Sequence, residues 1–558
     1  MDPGPPRGHG QPPPGIKKFL PPGVENQFVN IVNFELLLQD HPDQGLVKFV
    51  TDGLKYGFDI GFTGEICDTV RPNNKSARVN PVLVSAAVAK EVDRGHTAGP
   101  FDTPPFPRNH VSPIGAAPKP DGTCRLVLDL SQPRGESIND NINKEDFPCA
   151  YMHFDAATEL AVRMGRGCLL SKIDIKHAYR LLPVRPEDWP LLVHHWDGCF
   201  YVDLKVPFGG RSSASIFTSF ADLVCWVLNE KYCILVIHYS DDFLLFSIPC
   251  QIQAKHDLDT LKFAFFYLDI PIQEDKLVGP DTRVPYLGLI LDTMTLTVSI
   301  PTEKVNEALR ILPKWCSRRT CTLRELQSLN GKLNFYSKVI VPGRMFTRRL
   351  IDLTRTVSRP NHHVTLTREA KEDIQWWCEM LLSHNYTSMM PDPKRIYTTD
   401  LLLFTDAALR IGFGAILGNS WIQSRWITDA TAGEDINFQE LFAIMAATYT
   451  WGSQWAGKRI VFVTDNQSIT QIWSSGTTSV PTLMSLVRKV FMFAALNDFS
   501  ISLKHIHGHS NAAADALSRF QMERFRGLMP DADQNPTPIP VTVWDVDTRV
   551  NRLRASSS

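Results

Sequence analysis

The sequence lacks the cysteine patterns that build disulfide frameworks and zinc sites. Its 11 cysteines are scattered, no C-x-x-C pair occurs, and the closest pair, Cys316 and Cys321, has no histidine at zinc-ligand spacing. Disulfide-rich secreted scaffolds and zinc modules are therefore not expected. The pattern favours reduced thiols in an intracellular protein, located in the cytoplasm, the nucleus or both.

The chain also lacks long apolar runs and an excess of charge of one sign. No run of apolar residues is long enough to span a bilayer, and the N-terminus, MDPGPPRGHGQPPPG, has no apolar signal-peptide core. Secretion and a membrane partner are therefore not expected. With 58 Lys and Arg against 59 Asp and Glu, the formal net charge is -1. Any surface that binds nucleic acid must therefore be local.

Changes of composition along the 558 residues predict several domains. Residues 1–25 are rich in Pro and Gly and are predicted to be disordered, and residues 26–110 form an N-terminal extension without a motif. Strands and helices alternate over 111–298, helices dominate 299–395, an α/β pattern covers 396–522, and 523–558 are predicted to be a flexible tail. The expected class is multidomain α+β.

Two adjacent acids interrupt an apolar segment, YCILVIHYSDDFLLFS at residues 232–247, which predicts a β-hairpin. Burying a carboxylate without a partner is costly, and two adjacent carboxylates repel each other. An ordinary solvated turn at S-D-D is one interpretation, and a divalent-cation site is the other. A third acid, Asp174, ends an apolar strand in CLLSKIDIKHAY, and with Asp241 and Asp242 it favours the cation site.

These stretches resemble the motifs of reverse transcriptases. YSDD resembles their Y-x-D-D box, DIKHAY resembles their first catalytic motif, and PFGGRSSASIF resembles the helix-opening motif between them, in the same chain order. The resemblance implies a right-hand polymerase with fingers, palm and helical thumb. It implies that Asp174, Asp241 and Asp242 bind two Mg²⁺ ions, with Mn²⁺ as an alternative. Tyr179 is then the steric gate against a 2′-hydroxyl, and Ala214 departs from the usual Pro.

The resemblance also implies a site for deoxynucleoside triphosphates. Lys119 and Arg125 flank the turn PDG in SPIGAAPKPDGTCRLVLDLS, and a hairpin tip with two cations suits phosphate oxygens. Taken alone, such a pair is more simply interpreted as a solvated hairpin with incidental charge. The resemblance to the fingers motif of the family assigns both residues to the triphosphate.

Further residues of the palm are carried over from the same resemblance. Phe208 and Gly209 fall in the nucleotide-pocket segment of the family. Lys276, in QEDKLVGP, matches a palm lysine that helps to protonate pyrophosphate. The turn at residues 286–288 resembles the one that grips the primer end.

A local excess of positive charge follows the palm. Residues 301–360 contain 13 Lys or Arg and 4 Asp or Glu, with aromatic residues among them. One basic helix is usually a solvated face, but an excess of this size over 60 residues indicates a surface that tracks phosphates. Its position agrees with the thumb of a polymerase, and its binding is expected to be independent of sequence and strongly dependent on salt.

Four more acids lie in the C-terminal α/β region. Asp406 lies in a strand, Glu440 on a helix, Asp465 at a strand end and Asp515 at the start of the last helix, and singly each is consistent with a cap or a surface acid. In this order they resemble ribonuclease H, and the stretches TDA, QEL, TDNQS and ADALSR resemble retroelement enzymes. The resemblance implies that the four acids bind two Mg²⁺ ions.

Three histidines precede Asp515 in HIHGHSNAAAD. His509 best matches a mobile catalytic histidine of the ribonuclease H family, although its loop to Asp515 is shorter than in retroviral enzymes. His505 and His507 alternate along a strand, which favours structural roles.

The stretches SPIGAAPKPDG and TLRELQSLNGKLNFYSKVIVPGR most resemble DIRS-type elements, which carry a tyrosine recombinase, and next gypsy-type elements and pararetroviruses. The expected function is RNA-directed DNA synthesis with ribonuclease H activity, acting on an RNA template, a DNA primer and their hybrid. A recombinase or capsid protein is expected on another chain. The alternative is a co-opted element protein that binds nucleic acid without one or both activities.

Overall fold

The computed structural model describes residues 29–66, 68–119, 121–150, 152, 154–340, 343–383, 387–389, 401–426, 435–456, 458–476, 478, 480–497 and 499–544. The disorder predicted for residues 1–25 lies outside these ranges. The chain divides into two compact units, with the boundary in the sequence between Thr297 and Val298. Each unit combines helices with strands, so the multidomain α+β class is confirmed. In the part of the chain described, no helix combines the length and apolar character needed to cross a membrane.

The first unit contains seven helices and thirteen strands among its described residues. The helices are α1 (Ile31–Leu37), α2 (Gln44–Tyr56), α3 (Lys75–Arg78), α4 (Pro81–Asp93), α5 (Phe154–Met164), α6 (Ser213–Glu230) and α7 (Gln251–Tyr267). The strands are β1 (Thr69–Val70), β2 (Thr97–Phe101), β3 (His110–Ser112), β4 (Ile114–Pro118), β5 (Cys124–Leu128), β6 (Leu169–Asp174), β7 (Val193–Trp196), β8 (Cys199–Asp203), β9 (Leu235–Tyr239), β10 (Asp242–Ser247), β11 (Val278–Asp281), β12 (Arg283–Tyr286) and β13 (Leu289–Asp292).

A four-stranded sheet in the order β11-β6-β10-β9 forms the centre of this unit. Strand β10 is buried from Phe243 to Ser247 because it lies between β6 and β9 and is covered by helices. Helix α6 packs on β9, and most of its apolar residues, including Phe217, Phe220 and Val224, are fully buried. These residues belong to one continuous apolar core, which supports the ends of β6 and β10.

The first unit also contains a second sheet, in the order β1-β3-β7-β8-β2, and the hairpins β4–β5 and β12–β13. In the hairpin, Ala117 pairs with Arg125 and Pro118 with Cys124, so the loop between the strands carries Lys119 at its beginning. Strands β2 and β8 are antiparallel, with Thr97 opposite Asp203.

The second unit begins within strand β14 (Thr297–Ser299). Its helices are α8 (Thr302–Ser317), α9 (Leu323–Tyr336), α10 (Gly343–Leu353), α11 (Arg368–Ser383), α12 (Ile436–Trp451), α13 (Gln467–Ser475), α14 (Pro481–Leu496), α15 (Ala512–Ser518) and α16 (Met522–Leu528). Its further strands are β15 (Thr320–Thr322), β16 (His363–Thr365), β17 (Thr387–Met389), β18 (Leu401–Ala408), β19 (Gly412–Leu417), β20 (Ser420–Arg425), β21 (Arg459–Thr464) and β22 (Ser500–His505).

The C-terminal part of this unit is a five-stranded sheet in the order β20-β19-β18-β21-β22. Strands β18, β19 and β20 form an antiparallel meander, while β21 runs parallel to both β18 and β22. Helix α12 is buried on almost every side because the sheet and helix α14 cover it. The parallel strands β18 and β21 therefore end close to helix α12.

Residues 523–558 are predicted to be a flexible tail. This prediction is wrong for residues 523–544, which pack on the second unit. Helix α16 packs on the meander, with Phe525 fully buried and its ring 5.3 Å from that of Trp421. Trp544 contacts Phe413 and Phe442. Burial of these aromatic rings orders the segment although Pro and Asp are frequent in it. Residues 545–558 lie outside the described ranges.

Two candidate active sites

The three acids predicted for the polymerase site meet at one end of the central sheet. Asp174 ends β6 and Asp242 begins β10, and the two residues are partners in the antiparallel pair. Asp242 also pairs with Tyr239, so the loop of the hairpin is Ser240 and Asp241. Ser240 has a φ of 54°, in the left-handed region that two-residue hairpin loops use. The S-D-D stretch is thus a tight turn, and it brings its acids to Asp174.

Lysine side chains hold two of these acids. Lys276 Nζ lies 2.8 Å from Asp174 Oδ2, and Lys172 Nζ lies 2.9 Å from Asp242 Oδ1. Burial raises the pKa of Asp174; the Lys276 hydrogen bond opposes the rise and the charge of Asp241 adds to it. Burial also raises the pKa of Asp241. Burial therefore disfavours the charged forms of Asp174 and Asp241 even with both lysines in place.

A cluster of aromatic rings adjoins these acids. Tyr179 lies in the 3₁₀ turn Ala178–Leu181, with its ring centroid 5.2 Å from Phe208 and 5.2 Å from Phe217. The guanidinium of Arg125 lies 4.6 Å from the centre of the Phe208 ring, within the range of a cation–π contact. The charge of Arg125 also opposes the rise in the pKa of Asp241. The structure therefore brings Arg125, Phe208 and Tyr179 together next to the acids.

Gly209 allows the loop after Phe208 to approach strand β5. Its φ is 114°, and a Cβ at this position would lie 2.2 Å from the carbonyl oxygen of Leu128. The backbone N–H of Leu128 donates to the carbonyl of Phe208 at 3.1 Å. Asn139, which the sequence did not single out, donates to the carbonyl of Gly209 at 2.9 Å and accepts from the N–H of Arg211 at 2.8 Å. Three hydrogen bonds therefore fix the segment from Phe208 to Arg211.

The remaining polymerase predictions fall at defined places. Lys119 is exposed at the loop of β4–β5, and its backbone N–H donates to Thr123 O at 2.8 Å. Ala214 lies in the first turn of α6. Leu287 and Gly288 form the loop of hairpin β12–β13, with φ values of 46° and 79°. Among the described residues, the Lys119 side chain forms no ion pair or cation–π contact with the acids and rings of the central cluster.

The described residues of the basic segment at 301–360 include helices α8 to α10 and strand β15. Several of its cations pair with acids of the same unit, including Arg318 with Glu325 at 2.7 Å and Lys332 with Glu307. Arg319 and Arg324 are exposed. The number of cations available to contact a phosphate is thus smaller than the number of Lys and Arg residues in this segment.

Asp406, Glu440 and Asp465 form a compact cluster of acids in the second unit. One carboxylate oxygen from each lies within 4.8 Å of the others. Burial raises the pKa of Asp406 to about 6, and the charge of Asp465 adds to the rise. Burial raises the pKa of Glu440 well above its usual value, with contributions from Asp406 and Asp465. Among the described residues, the buried Oε2 of Glu440 has no hydrogen-bond partner.

Asp515 stands at the side of this cluster, on helix α15. Its carboxylate accepts hydrogen bonds from Arg519 at 2.6 Å and Arg524 at 2.7 Å. Burial raises the pKa of Asp515, but these two arginines outweigh it and the net shift is downward. Its charge still raises the pKa of Asp406. The fourth predicted acid is therefore near the other three but is held by guanidinium groups.

Helix α15 can approach β18 because of a glycine opposite Asp406. Gly414 is the register partner of Asp406 on β19, and a Cβ there would lie 2.4 Å from the Cβ of Leu517. The close approach lets the Ser518 hydroxyl donate to Asp406 Oδ2. The sequence did not single out Gly414 or Ser518. The one sequence feature that indicates a close contact here is the pair of glycines in G-F-G at the start of β19.

The three histidines follow strand β22. His505 Nε2 lies 3.1 Å from the carbonyl of Asp465, and the rings of His507 and His509 stack with centroids 5.8 Å apart. A Cβ on Gly508 would lie 3.1 Å from Asp465 Oδ2. The loop that carries His509 therefore runs beside the acid cluster.

Both groups of acids suit Mg²⁺, which prefers carboxylate oxygens and keeps some ligand positions for water and phosphate. The buried Glu440 Oε2 without a donor is the kind of atom that a cation would satisfy. In the palm, Asp174 and Asp242 oppose each other in register, an arrangement of like charges that is destabilising without a cation.

Comparisons with known proteins cover the part of the chain that contains Asp174, Asp241 and Asp242. Residues 117–291 match a family model described as reverse transcriptase (RNA-dependent DNA polymerase). The chain is 23% identical over 437 residues to the Tf2-3 and Tf2-4 transposon polyproteins of Schizosaccharomyces pombe (strain 972 / ATCC 24843). These alignments cover 76% of this chain and 30% of each polyprotein, so the chain spans about a third of the relatives' length.

Solved structures of foamy viral protease-reverse transcriptases are also similar. One in complex with double-stranded DNA has a TM-score of 0.49 at 16% identity, covering 88% of this chain and 85% of the other. One in complex with an RNA/DNA hybrid has a TM-score of 0.46 at 17% identity, covering 85% and 63%. Residues 117–291 are therefore similar to reverse transcriptase domains, and the chain over a longer stretch is similar to retrotransposon polyproteins.

Proposed function

We propose that the chain is an RNA-directed DNA polymerase with its own ribonuclease H, copying retroelement RNA into DNA and degrading the RNA strand of the hybrid. The observation that carries the polymerase is the placement of Asp174 opposite Asp242, with Asp241 in the turn between β9 and β10. The observation that supports the ribonuclease H is the cluster of Asp406, Glu440 and Asp465.

At the polymerase site, each residue has a distinct task in this proposal. Asp174, Asp241 and Asp242 hold two Mg²⁺ ions, which activate the primer 3′-hydroxyl and stabilise the leaving pyrophosphate when bound. Arg125 and Lys119 bind the triphosphate of the incoming deoxynucleotide. Tyr179 lies under its sugar, and Phe208 with Gly209 lines the pocket. Lys276 gives a proton to pyrophosphate, and its contact with Asp174 supports this role.

In the second site, Asp406, Glu440, Asp465 and Asp515 hold the cations of the ribonuclease H. Asp515 takes part once its carboxylate leaves Arg519 and Arg524. His509, on the loop beside Asp465, assists departure of the product. Mg²⁺ is the cation proposed at both sites, and Mn²⁺ is the alternative, because the ligands are all carboxylates.

We extend the proposal to the element and its partners. The chain acts on an RNA template, a DNA primer and an RNA-DNA hybrid within the cell, in the cytoplasm, the nucleus or both. Its host element is of the DIRS type, with a recombinase or capsid protein on another chain. A tyrosine-recombinase reading frame beside the coding sequence supports this affiliation, whereas an integrase and an aspartic protease there contradict it.

Two assays on one protein test the two activities. Asp241→Asn should abolish primer extension on an RNA template with Mg²⁺ and leave hybrid cleavage intact. Asp465→Asn should do the reverse. Asp259→Asn and Asp531→Asn change exposed acids in the same two units, and both should retain both activities.

Three outcomes contradict the proposal. Loss of both activities from one substitution in a folded protein contradicts two separate sites. Hybrid cleavage without extension by the unmodified chain contradicts the polymerase. Absence of both at high enzyme concentration favours a co-opted protein that only binds nucleic acid.

A further inference from the structure

Arg180, the residue after the proposed steric gate, is buried inside the first unit with only 5% of its surface exposed. A guanidinium is rarely buried to this degree without partners. Arg180 Nε lies 3.2 Å from Glu91 Oε2 on α4, and its Nη1 lies 2.9 Å from Asp203 Oδ2 on β8. One arginine therefore joins the turn that carries Tyr179 to a helix and a strand distant from it in sequence.

The two acids are themselves fixed. Thr97 Oγ1 donates to Asp203 Oδ1 at 2.7 Å, and Thr97 is also the backbone partner of Asp203. His96 Nδ1 lies 3.0 Å from Glu91 Oε2. Burial raises the pKa of Glu91, but His96 and Arg180 outweigh it and lower the value to about 2. Glu91 is therefore charged at neutral pH, and Arg180 lies between anchored carboxylates.

The backbone before Tyr179 needs such an anchor. His177 and Ala178 have φ values of 73° and 46°, and consecutive left-handed residues with a Cβ persist only where the surroundings hold them. Past this bend, the Tyr179 ring rests against Phe208 and Phe217. The Arg180 guanidinium lies 5.9 Å from the centre of the same Phe208 ring. Arg180 thus contacts Phe208, which packs against the Tyr179 ring, and it also belongs to the turn that carries Tyr179.

We propose that Arg180, held by Glu91 and Asp203, is a positioning residue that fixes the Tyr179 ring and so sets how strongly the enzyme rejects ribonucleotides. The inference rests on the proposed polymerase function. Arg180 does not bind the nucleotide. A loosened Tyr179 admits a 2′-hydroxyl more readily, because a small displacement of a packed ring opens the space that it excludes. Deoxynucleotide use changes less, since a deoxyribose does not fill that space.

The test compares kcat/KM for a deoxynucleotide and for the matching ribonucleotide with each preparation. The kcat/KM for the deoxynucleotide is divided by that for the ribonucleotide. This ratio does not depend on the fraction of active enzyme, so partial unfolding does not alter it. Arg180→Gln, Glu91→Gln and Asp203→Asn should each lower the ratio by about tenfold, the scale expected for a displaced positioning contact. Arg180→Lys should restore part of it, because Lys keeps the charge but not the planar fork.

Thr97→Val is a milder variant for the case in which the charge variants do not fold. It removes only the hydroxyl that holds Asp203, and we expect the ratio to fall about twofold to threefold. Asp188→Asn is the matched control. Asp188 is equally buried and pairs with Arg185 at 3.0 Å, so the variant loses a comparable ion pair away from the gate and should keep the ratio of the unmodified chain.

An unchanged ratio in Thr97→Val and in every charge variant that folds overturns the inference. So does an equal fall in Asp188→Asn, because general loosening would then explain the effect. If the unmodified chain makes no DNA, the proposed polymerase fails and the inference fails with it. If it makes DNA with the ratio insensitive to these changes, only the inference fails.

Discussion

At the scale of the residue, acids in apolar surroundings were the features most easily predicted. Asp174, Asp241 and Asp242 interrupt strands, and the cost of burying charge makes such interruptions informative. Their partners gave no comparable signal. Ser518 lies 112 positions from Asp406 in sequence, and Lys172 and Asn139 are ordinary polar residues until the chain folds. A hydrogen bond that depends on tertiary approach leaves no pattern in one sequence.

Asp373 on α11 allows a prediction about pH. It accepts from Arg349 at 3.1 Å and Arg488 at 3.2 Å, yet burial raises its pKa to about 6. The unfolded value is about 4, so the folded state binds the proton more tightly between these values. The contribution of Asp373 to stability is therefore full below about pH 4 and is lost as the pH rises to 6.

The comparison is with Asp373→Asn, which does not titrate. The free energy of unfolding of the unmodified protein relative to this variant should fall by about 1–3 kcal/mol between pH 4 and 6.5. Urea titrations at several pH values measure it. Glu372→Gln changes a neighbouring acid that is less buried. Its free energy of unfolding should vary with pH as that of the unmodified protein does. If the difference between unmodified protein and Asp373→Asn is constant with pH, the raised pKa is wrong.

At the scale of the element, the helix that starts at Leu323 shows what local sequence determines. It begins with a capping box: Thr322 Oγ1 accepts from the Glu325 N–H at 3.3 Å, and Glu325 Oε2 accepts from the Thr322 N–H at 2.8 Å. A capping box needs only residues three apart, so one sequence suffices to predict it. The C-terminal segment depends instead on the distant Trp421 and Phe442, and it was missed.

Thr322→Ala should lower the free energy of unfolding of the second unit by about 1 kcal/mol, because one N–H of the first turn loses its acceptor. Chemical denaturation followed by tryptophan fluorescence measures it. Thr302→Ala, an exposed first-turn residue of α8 that is not its N-cap, should change stability much less. Equal losses in both variants contradict a specific role for the cap.

At the scale of the whole molecule, the basic segment predicts how binding depends on salt. Its affinity for a hybrid duplex should fall linearly with the logarithm of salt concentration, since bound phosphates release counterions. Arg319→Gln and Arg324→Gln should each reduce the slope by about one, equally for unrelated duplex sequences.

Fluorescence anisotropy at several salt concentrations measures the slope. Lys255→Gln, an exposed cation on α7 of the first unit, should leave it unchanged. A reduction that depends on duplex sequence, or that equals the effect of Lys255→Gln, contradicts a phosphate-tracking surface.

The pairing of Asp174 with Asp242 also limits which changes of length the gene can tolerate. A side chain in a strand changes faces when the register slips by one residue. One codon inserted or deleted within β6, or in the two-residue loop after Tyr239, would turn an acid away from its partner while leaving every amino acid of the motif in place. The Asp197–Gly198 loop between β7 and β8 carries no such restriction. In a library of single-codon insertions and deletions selected for DNA synthesis, no variant with a change in β6 or in the Ser240–Asp241 loop should survive. Variants with a change in the Asp197–Gly198 loop should survive.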